Sequence, residues 1–382
     1  GSAPITYFDT SDFKTKFACE LKNFNPLDFI EKKEIRRQDK FSQYATICSE
    51  EAINDSDLIN SKFDSNRVGV IWGAGIGGIE TFQNEMENFF SNKKPRFNPF
   101  FIPKLIADIA PGLISIKYGF KGPNFTTVSA CASSSNAIID ALNYIRLGYA
   151  DVIIAGGSEA AVTCAGIGGF NAMHALSTRN NEPGKASRPF DNERDGFVLG
   201  EGGGCIVLED LDHAIKRNAK IYCELAGGGL SADAHHMTAP HPEGNGAKKV
   251  MENCLQDAKL NIDEVDHINM HGTSTPLGDI AETKAVIDVF KKHAYSININ
   301  STKSMTGHLL GAAGAIEAIS CILSIKNNKI PPTINHFTND KQIDSKLNFT
   351  FNKFQERSVR VALSNTFGFG GHNACLVFKK FD

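Results

Sequence analysis

The chain has 382 residues, 41% of them hydrophobic and 22% charged, with a formal net charge of −3. This composition is typical of a globular protein with room for two domains or one duplicated unit, and it lacks the overall basic charge that would predict a nucleic-acid partner. Nine scattered cysteines without a CxxC pair argue against a secreted disulfide scaffold and favour reduced thiols. The sequence predicts neither a signal peptide nor a membrane-spanning segment.

The first 67 residues carry few strand signals but contain a basic cluster. Five basic residues fall within nine positions and would lie along one side of a short helix. They are Lys32, Lys33, Arg36, Arg37 and Lys40. A solvated helix face is the ordinary interpretation of such a run. A docking surface for an acidic partner is the alternative.

A predicted strand at residues 68–72 is followed by Gly73–Gly78, which formally matches the GxGxxG dinucleotide motif. That motif needs a βαβ unit whose second strand ends in an acidic residue. Here the polar loop 91–96 follows, with no second strand at the right distance. We therefore predict a glycine turn that permits close packing, and not a dinucleotide site.

A cysteine stands where a predicted strand, residues 125–128, passes into a predicted helix. Apolar residues recur at three- and four-residue steps from Ala137 to Ile145, before Gly148. Cys131 would lie at or just before the first helical turn, where the helix dipole favours a thiolate nucleophile. A buried, inert cysteine is the alternative. The next strand, at 151–157, completes an α/β crossover.

The later part of the chain repeats the alternation of strands and helices. The long polar loop 175–197 is typical of a functional loop, and a second pass of the pattern begins near Tyr222 after a helix at 210–220. His235, His236 and His241 invite a metal interpretation, but no further ligand stands at zinc-site spacing. We do not predict a metal site there.

Three more strand ends carry chemically active residues. The strand 265–270 leads into His271, the strand 297–300 leads towards His308, and a glycine-rich turn around Phe369 joins the last two strands. The crevice at the carboxyl ends of the strands is the usual site in parallel α/β sheets. We therefore expect these residues to meet Cys131 there.

One carboxylate is predicted to be buried. Glu317 lies inside a helix of small and apolar residues. Because a buried carboxylate needs a partner, and Lys303 stands at the preceding strand end, we expect these two residues to pair.

Together these motifs resemble the β-ketoacyl-acyl-carrier-protein synthases. The resemblance rests on VSACASS at 128–134, HGTSTPLGD at 271–279, STKSMTGHLLGAAGAIE at 301–317 and FGFGGHN at 367–373. It extends over essentially the whole chain. It implies an α/β thiolase fold of five layers, αβαβα, built from two similar halves: residues 1–215, with the cysteine, and residues 216–382, with the histidines and the lysine.

The resemblance also implies the reaction. Cys131 would take the acyl chain from acyl carrier protein as a thioester. His271 and His308 would assist the loss of CO2 from malonyl carrier protein, and Lys303, paired with Glu317, would favour their neutral forms. The enolate would then attack the acyl thioester and give 3-oxoacyl carrier protein, as in type II fatty-acid elongation.

Further residues are implied for binding. The backbone N–H groups of Cys131 and Phe369 would form an oxyanion hole, and Phe367 with Phe369 would gate the passage between the two substrates. The hydroxyls expected to contact the pantetheine arm belong to Thr238, Thr273 and Thr275. The expected carrier-protein docking residues are Lys32, Lys33, Arg36 and Arg37.

The resemblance implies a homodimer that needs neither a metal nor another cofactor, because its substrates travel on the phosphopantetheine arm of the carrier protein. No nucleic-acid or membrane partner is implied, and the expected location is a bacterial cytoplasm or a plastid-type organelle. Two alternatives stay open. One is a ketosynthase of a polyketide pathway; the other is a non-catalytic partner subunit resembling a chain-length factor, against which the cysteine argues.

The chain departs from the family pattern in three places. The family begins with a strand and a helix that precede the position matched by Gly1, so we expect the first sheet to lack a strand. His372 stands where the family commonly has threonine, and His174 where it often has an arginine facing the carrier protein.

Overall fold

The computed structural model describes every residue from Gly1 to Asp382. Its strands are β1 (Ala3–Pro4), β2 (Phe17–Ala18), β3 (Val68–Gly73), β4 (Asn124–Thr127), β5 (Val152–Glu159), β6 (Gly202–Glu209), β7 (Glu224–Ala232), β8 (His267–Asn269), β9 (Asn298–Asn300), β10 (Lys329–Ile330), β11 (Asn348–Phe349), β12 (Gln355–Glu356), β13 (Val361–Gly368) and β14 (His372–Lys379).

Twelve α-helices connect these strands. They are α1 (Lys32–Ile35), α2 (Lys40–Asp55), α3 (Ile79–Asn92), α4 (Phe101–Leu105), α5 (Ile109–Tyr118), α6 (Ser133–Arg146), α7 (Cys164–Ala172), α8 (Leu211–Lys216), α9 (Asn245–Ala258), α10 (Pro276–Phe290), α11 (Lys303–Thr306) and α12 (Ala313–Asn327).

Two larger sheets form the framework. The first has the order β4-β3-β5-β6, with β6 antiparallel to β5, and the second has the order β11-β9-β8-β13-β14-β7. In the second sheet β7 pairs antiparallel with the outer side of β14, whereas β6 is an edge strand of the first. The first sheet therefore has fewer strands than the second, as the comparison with the family pattern led us to expect.

The layers follow from which helices pack on which sheet. Helices α6 and α12 contact each other and both sheets, so they form the middle layer. Helices α2 and α5 cover the outer face of the first sheet, while α9, backed by α10, covers the second. Apolar residues of β5 are buried along its whole length because helices cover both of its faces. The five-layer αβαβα arrangement predicted from the resemblance is confirmed.

Most predicted elements are present, with shifted ends. The helix predicted to reach residue 220 ends at Lys216. The final turn, expected to span residues 365–373, is shorter, because residues 365–368 pair with β14 and only residues 369–371 form the turn. The cross-strand ladder therefore extends the hairpin towards the site.

Residues Leu310–Asn327 form a helical segment with the length and apolar composition of a membrane span, and 61% of that window is buried in the fold. The segment consists of a short turn followed by α12. Its position between the two sheets accounts for its apolar composition, since both of its faces meet core residues.

Candidate active site

Cys131 lies in a short 3₁₀ turn, Ala130–Ala132, directly before α6. The turn is tight: Ala130 has a φ of 50°, a backbone conformation that residues with a side chain rarely adopt. The hydroxyl of Ser133 holds it by accepting from the N–H of Ser129 and donating to the carbonyl of Ala130. Cys131 is 7% exposed, and it lines a cavity of about 710 Å³.

Two histidines from the second half converge on this sulfur. Nε2 of His308 lies 3.0 Å from Sγ of Cys131, and the ring of His271 is 5.3 Å from the His308 ring, centroid to centroid. The sulfur and the two ring nitrogens all lie within 4.8 Å of one another. The structure therefore brings together the three residues that the sequence predicted to meet.

Backbone contacts fix each histidine. The N–H of His308 donates to the carbonyl of Val198, at 2.8 Å, and its carbonyl accepts from Gly200, at 3.0 Å. The N–H groups of His271 and Gly272 donate to the carboxylate of Glu282, at 2.8 and 2.9 Å. Nδ1 of neither ring has a hydrogen-bond partner. Because no hydrogen bond to Nδ1 fixes the tautomer of either ring, each Nε2 can either accept or donate a proton.

Burial keeps both imidazoles neutral. It lowers the pKa of His271 and of His308 well below the usual value, and the positive charge of Lys303 lowers both further. Lys303 is 1% exposed and pairs with Glu317, as predicted from the apolar helix. Burial also raises the pKa of Glu317, and the Lys303 charge opposes that rise. The lysine acts in the expected direction, but desolvation is the larger cause.

The expected thiolate is not what the structure favours. Burial raises the pKa of the Cys131 thiol to about 12, although the Lys303 charge and a hydrogen bond from the N–H of Phe369 act in the opposite direction. The helix terminus can be seen in the sequence, whereas the depth at which the thiol is buried cannot. Burial therefore favours the thiol form of Cys131, and Nε2 of His308 lies within hydrogen-bond distance of its sulfur.

The predicted binding residues line the same cavity. Thr238 lies at its exposed mouth, and deeper inside the hydroxyls of Thr273 and Thr275 are 3.0 Å apart. Phe367 contacts the His271 ring at 5.6 Å between centroids. Gly368, which directly precedes Phe369, packs closely on the cysteine. A Cβ at this position would lie only 3.1 Å from the backbone nitrogen of Cys131.

The basic cluster lies outside the cavity. Lys32, Lys33, Arg36 and Arg37 are exposed on and just after α1. Two of them have acidic partners nearby: Lys33 pairs with Glu31, and Arg37 pairs with Glu34 and stacks on the ring of Phe100. Lys32 and Arg36 make no ion pair and present their charge to solvent.

Besides His271 and His308, three histidines line the cavity: His174, His236 and His241. His372 does not line the cavity and is exposed beside the final turn. The rings of His235 and His241 lie 5.0 Å apart. The group of side chains close enough to hold a metal ion is Cys131 with His271 and His308, and not the loop that carries His235 and His241.

The N-terminal domain of the β-ketoacyl synthases matches residues 8–214, and their C-terminal domain matches residues 222–337. The chain belongs to the β-ketoacyl synthase family. Among its relatives is the 3-oxoacyl-[acyl-carrier-protein] synthase 2 of Synechocystis sp., 46% identical over 100% of this chain and 91% of that protein. The enzyme of that name from Staphylococcus aureus is 47% identical over 100% of this chain and 92% of its own.

Solved structures agree with this assignment. The ishigamide ketosynthase/chain length factor superimposes with a TM-score of 0.92 at 32% identity, over 100% of this chain and 92% of that one. A type II polyketide ketosynthase, solved with the hexaketide and its acyl carrier protein, gives 0.90 at 31% identity over the same shares. Both confirm the thiolase-like fold of the family.

The sequence analysis did not identify two buried carboxylates that hold the backbone around the site. Glu282, on α10, holds the backbone of His271, and Glu159, the last residue of β5, accepts from the Gly75 to Gly77 loop. The loop that formally matched a dinucleotide motif thus binds an internal carboxylate. One signal was available: Glu159 stands two residues after the apolar strand predicted at 151–157, and a carboxylate so close to a buried strand needs partners.

Proposed function

We propose that the chain catalyses the decarboxylating Claisen condensation of acyl carrier protein thioesters with malonyl carrier protein. The products are 3-oxoacyl carrier protein, CO2 and free carrier protein, as in type II fatty-acid elongation. The observation that carries the proposal is the 3.0 Å approach of His308 Nε2 to the Cys131 sulfur, beside His271 and at the end of a large cavity. Relatives with 46–47% identity carry the name of this activity.

In the first half-reaction Cys131 is the nucleophile. Its sulfur attacks the carbonyl of the acyl thioester, a new carbon–sulfur bond forms, and the bond to the pantetheine sulfur breaks. The thiol proton passes through Nε2 of His308 to the leaving pantetheine thiolate. The N–H groups of Cys131 and Phe369 are the proposed donors to the transient oxyanion.

In the second half-reaction the bond between malonyl C2 and its carboxylate breaks. The electron pair moves onto the thioester as an enolate, whose oxygen accepts from Nε2–H of His271 and of His308. Because Nδ1 of His308 has no hydrogen-bond partner, its ring can change from the Nδ1–H tautomer of the first half-reaction to the Nε2–H tautomer used here. Neutral rings suit this role because their N–H groups donate without the cost of burying another cation. The enolate carbon attacks the acyl-Cys131 carbonyl and the carbon–sulfur bond to the cysteine breaks. The released thiolate then takes up one proton from solvent, which Nε2 of His308 can relay. These steps need no metal or other cofactor.

Lys303 and Glu317 are assigned an electrostatic role. A single buried ammonium near the two rings favours their neutral forms, and the carboxylate compensates the charge of the lysine. Thr238, Thr273 and Thr275 are proposed to hold the pantetheine arm along the cavity, and Phe367 with Phe369 to gate its inner end.

The proposed partners are acyl carrier protein and a second copy of the chain. The unpaired charges of Lys32 and Arg36, with Lys33 and Arg37 beside them, suit the acidic surface of a carrier protein; a related ketosynthase has been solved with its carrier protein.

For the second copy, β4 is an edge strand, and Val128 just beyond it is 63% exposed. Ile116, on α5 beside that edge, is 79% exposed. Pairing of β4 with its equivalent would cover these side chains. A charge at Ile116 should then convert a dimer into monomers in sedimentation experiments.

We also propose the division of the chain near residue 215 into two similar halves, since each large sheet is formed within one side of that point. A bacterial cytoplasm or a plastid-type organelle is the compartment we propose from the resemblance.

A polyketide ketosynthase is the second candidate, favoured by the structural similarity to two polyketide-type assemblies. The test incubates the enzyme with acyl carrier protein and malonyl carrier protein and identifies the products by mass spectrometry. Fatty-acid elongation predicts one condensation per turnover, whereas repeated extension of an unreduced chain would support the polyketide alternative.

The catalytic assignment is tested with Cys131→Ala, which should abolish the acyl-enzyme adduct. Cys164→Ala is the control, because that thiol lies outside the cavity. An adduct retained in Cys131→Ala would refute the assignment of the nucleophile and point to another reactive residue, whereas a wild-type chain that forms no adduct would support the non-catalytic partner subunit.

A further inference from the structure

Glu159 is a buried carboxylate that the proposed reaction does not use. The residue is 0% exposed and ends β5 below the cavity. Its Oε2 accepts from the N–H of Gly75 at 2.8 Å and of Gly311 at 3.1 Å. Its Oε1 accepts from Ile76 at 3.1 Å and Gly77 at 3.2 Å. One side chain therefore satisfies four backbone donors from two separate loops.

The two loops belong to different halves of the chain and touch each other at this carboxylate. A Cβ at Gly311 would lie 2.2 Å from the nitrogen of Gly75, and one at Gly75 would lie 2.7 Å from Oε2 of Glu159. Such contacts leave no room for a side chain or a water molecule between the loops. Without the carboxylate, four inward-facing N–H groups would lose their acceptor in a closed space.

Both loops also form the wall of the cavity around the cysteine. Ile76 and Leu310, which flank the two contact points, line the cavity together with Cys131. Leu310 packs against Cys131 in the same apolar cluster. Leu310 has a φ of 48°, so its backbone is held in an uncommon conformation next to the Gly311 N–H that Glu159 binds.

We propose that Glu159 is a positioning residue that sets acyl-chain selectivity, by holding Ile76 and Leu310 at fixed positions in the wall against which the acyl chain of Cys131 rests. This inference rests on the proposed condensing function. The wall discriminates between chains only if it is stiff, because a pocket that relaxes around each chain loses the contact energy that distinguishes them.

The test is Glu159→Gln in the full chain. If the amide oxygen takes the place of Oε2, it keeps the Gly75 and Gly311 bonds. The NH2 group then faces the N–H groups of Ile76 and Gly77 and cannot accept from them. The variant should therefore release Ile76 and leave the cysteine and its histidines in place.

The measurement is kcat/KM with acyl carrier proteins bearing four, eight and twelve carbons. Because one methylene in an apolar pocket changes selectivity roughly 10-fold or more, we expect the ratio between the best and the poorest chain to fall at least about fivefold in the variant. Malonyl decarboxylation, which does not use the acyl wall, should change less than about twofold.

Asp39→Asn is the matched control. Asp39 is 2% exposed and accepts from the N–H of Phe41 and from the N–H and hydroxyl of Thr81, at 3.2, 3.0 and 2.6 Å. It does not line the cavity. Its loss should lower stability without altering the chain-length ratio. If this control flattens the ratio as much as Glu159→Gln, general loosening explains the effect and the inference is wrong.

A pH readout separates positioning from simple structural support. Burial raises the pKa of Glu159 to about 7, against the lowering effect of its N–H donors. The titratable group that faces Glu159 is the Cys131 thiol, and its ionisation affects acyl chains of every length alike. The wild-type ratio should therefore flatten between pH 8 and pH 6, as the carboxyl gains a proton, whereas the glutamine variant should keep one ratio throughout.

If Glu159→Gln does not fold, Ile76→Ala replaces it. Ile76 is 40% exposed, and its side chain takes no part in the hydrogen bonds, so this variant should fold and reproduce the flattened ratio. An unchanged ratio in whichever variant folds overturns the inference. A wild-type enzyme that condenses no chain at all would overturn the proposed function instead.

Discussion

Replacing Lys303 by methionine tests the buried ion pair at the site. The change leaves Glu317, which is 2% exposed, without its cation. Removing one partner of a buried pair typically lowers the free energy of unfolding by about 3–5 kcal/mol, because the remaining charge is uncompensated. The carboxyl escapes part of this penalty by taking up a proton, so the penalty depends on pH.

The sign of that dependence follows from the pKa of Glu317. Burial raises this pKa to about 7 while Lys303 opposes the rise, so removing the lysine moves it higher still. A raised carboxyl pKa in the folded state means that stability is lost as the pH rises through that value. Above pH 7 the wild-type carboxyl is already mostly ionised. The variant should continue to lose up to about 1.4 kcal/mol per pH unit, or about 2 kcal/mol between pH 7 and pH 8.5.

Urea unfolding at several pH values measures this difference, with the fluorescence of Trp72 as the signal, since Trp72 is the one tryptophan of the chain and is fully buried. The double variant Lys303→Met/Glu317→Gln should show no extra pH slope. Lys220→Met, which breaks an exposed pair with Asp55, should leave the midpoint nearly unchanged. A deficit of Lys303→Met that is flat or shrinks as pH rises would contradict the reasoning.

Three further predictions follow from the same site. Burial raises the pKa of the Cys131 thiol to about 12, so alkylation of this residue, followed by mass spectrometry, should accelerate about tenfold per pH unit from 7 to 9, without a plateau. Burial and Lys303 lower the pKa of His271 and His308 well below the usual value; malonyl decarboxylation should therefore not halve near pH 6.5, where an ordinary imidazole would become charged. Gly311→Ala would place a Cβ 2.2 Å from the backbone nitrogen of Gly75 and should lower the free energy of unfolding by more than about 2 kcal/mol. Gly169→Ala, which has open space around it, should leave that free energy nearly unchanged. Thermal unfolding of both variants measures the difference.

Local pattern was enough to identify the elements that carry the chemistry. The apolar spacing after Cys131 predicted α6, and the polar turns after β8 and β9 marked His271 and His308. These predictions succeed because helix and strand periods depend on residues close in sequence. The pairing of Lys303 with Glu317 was also accessible, since an acidic residue in an apolar helix has few ways to be satisfied.

Contacts between distant segments decided the rest. Whether the Cys131 thiol is ionised depends on how deeply Leu310, Phe197 and their neighbours bury it, and no local pattern records that depth. The partners of Glu159 and Glu282 lie up to 152 residues away, as for Gly311. The sequence by itself determined which side chains stand at strand ends. Only the packing of two halves around α6 and α12 decided how far apart they are and how much water reaches them, because distance and desolvation are properties of the assembled layers.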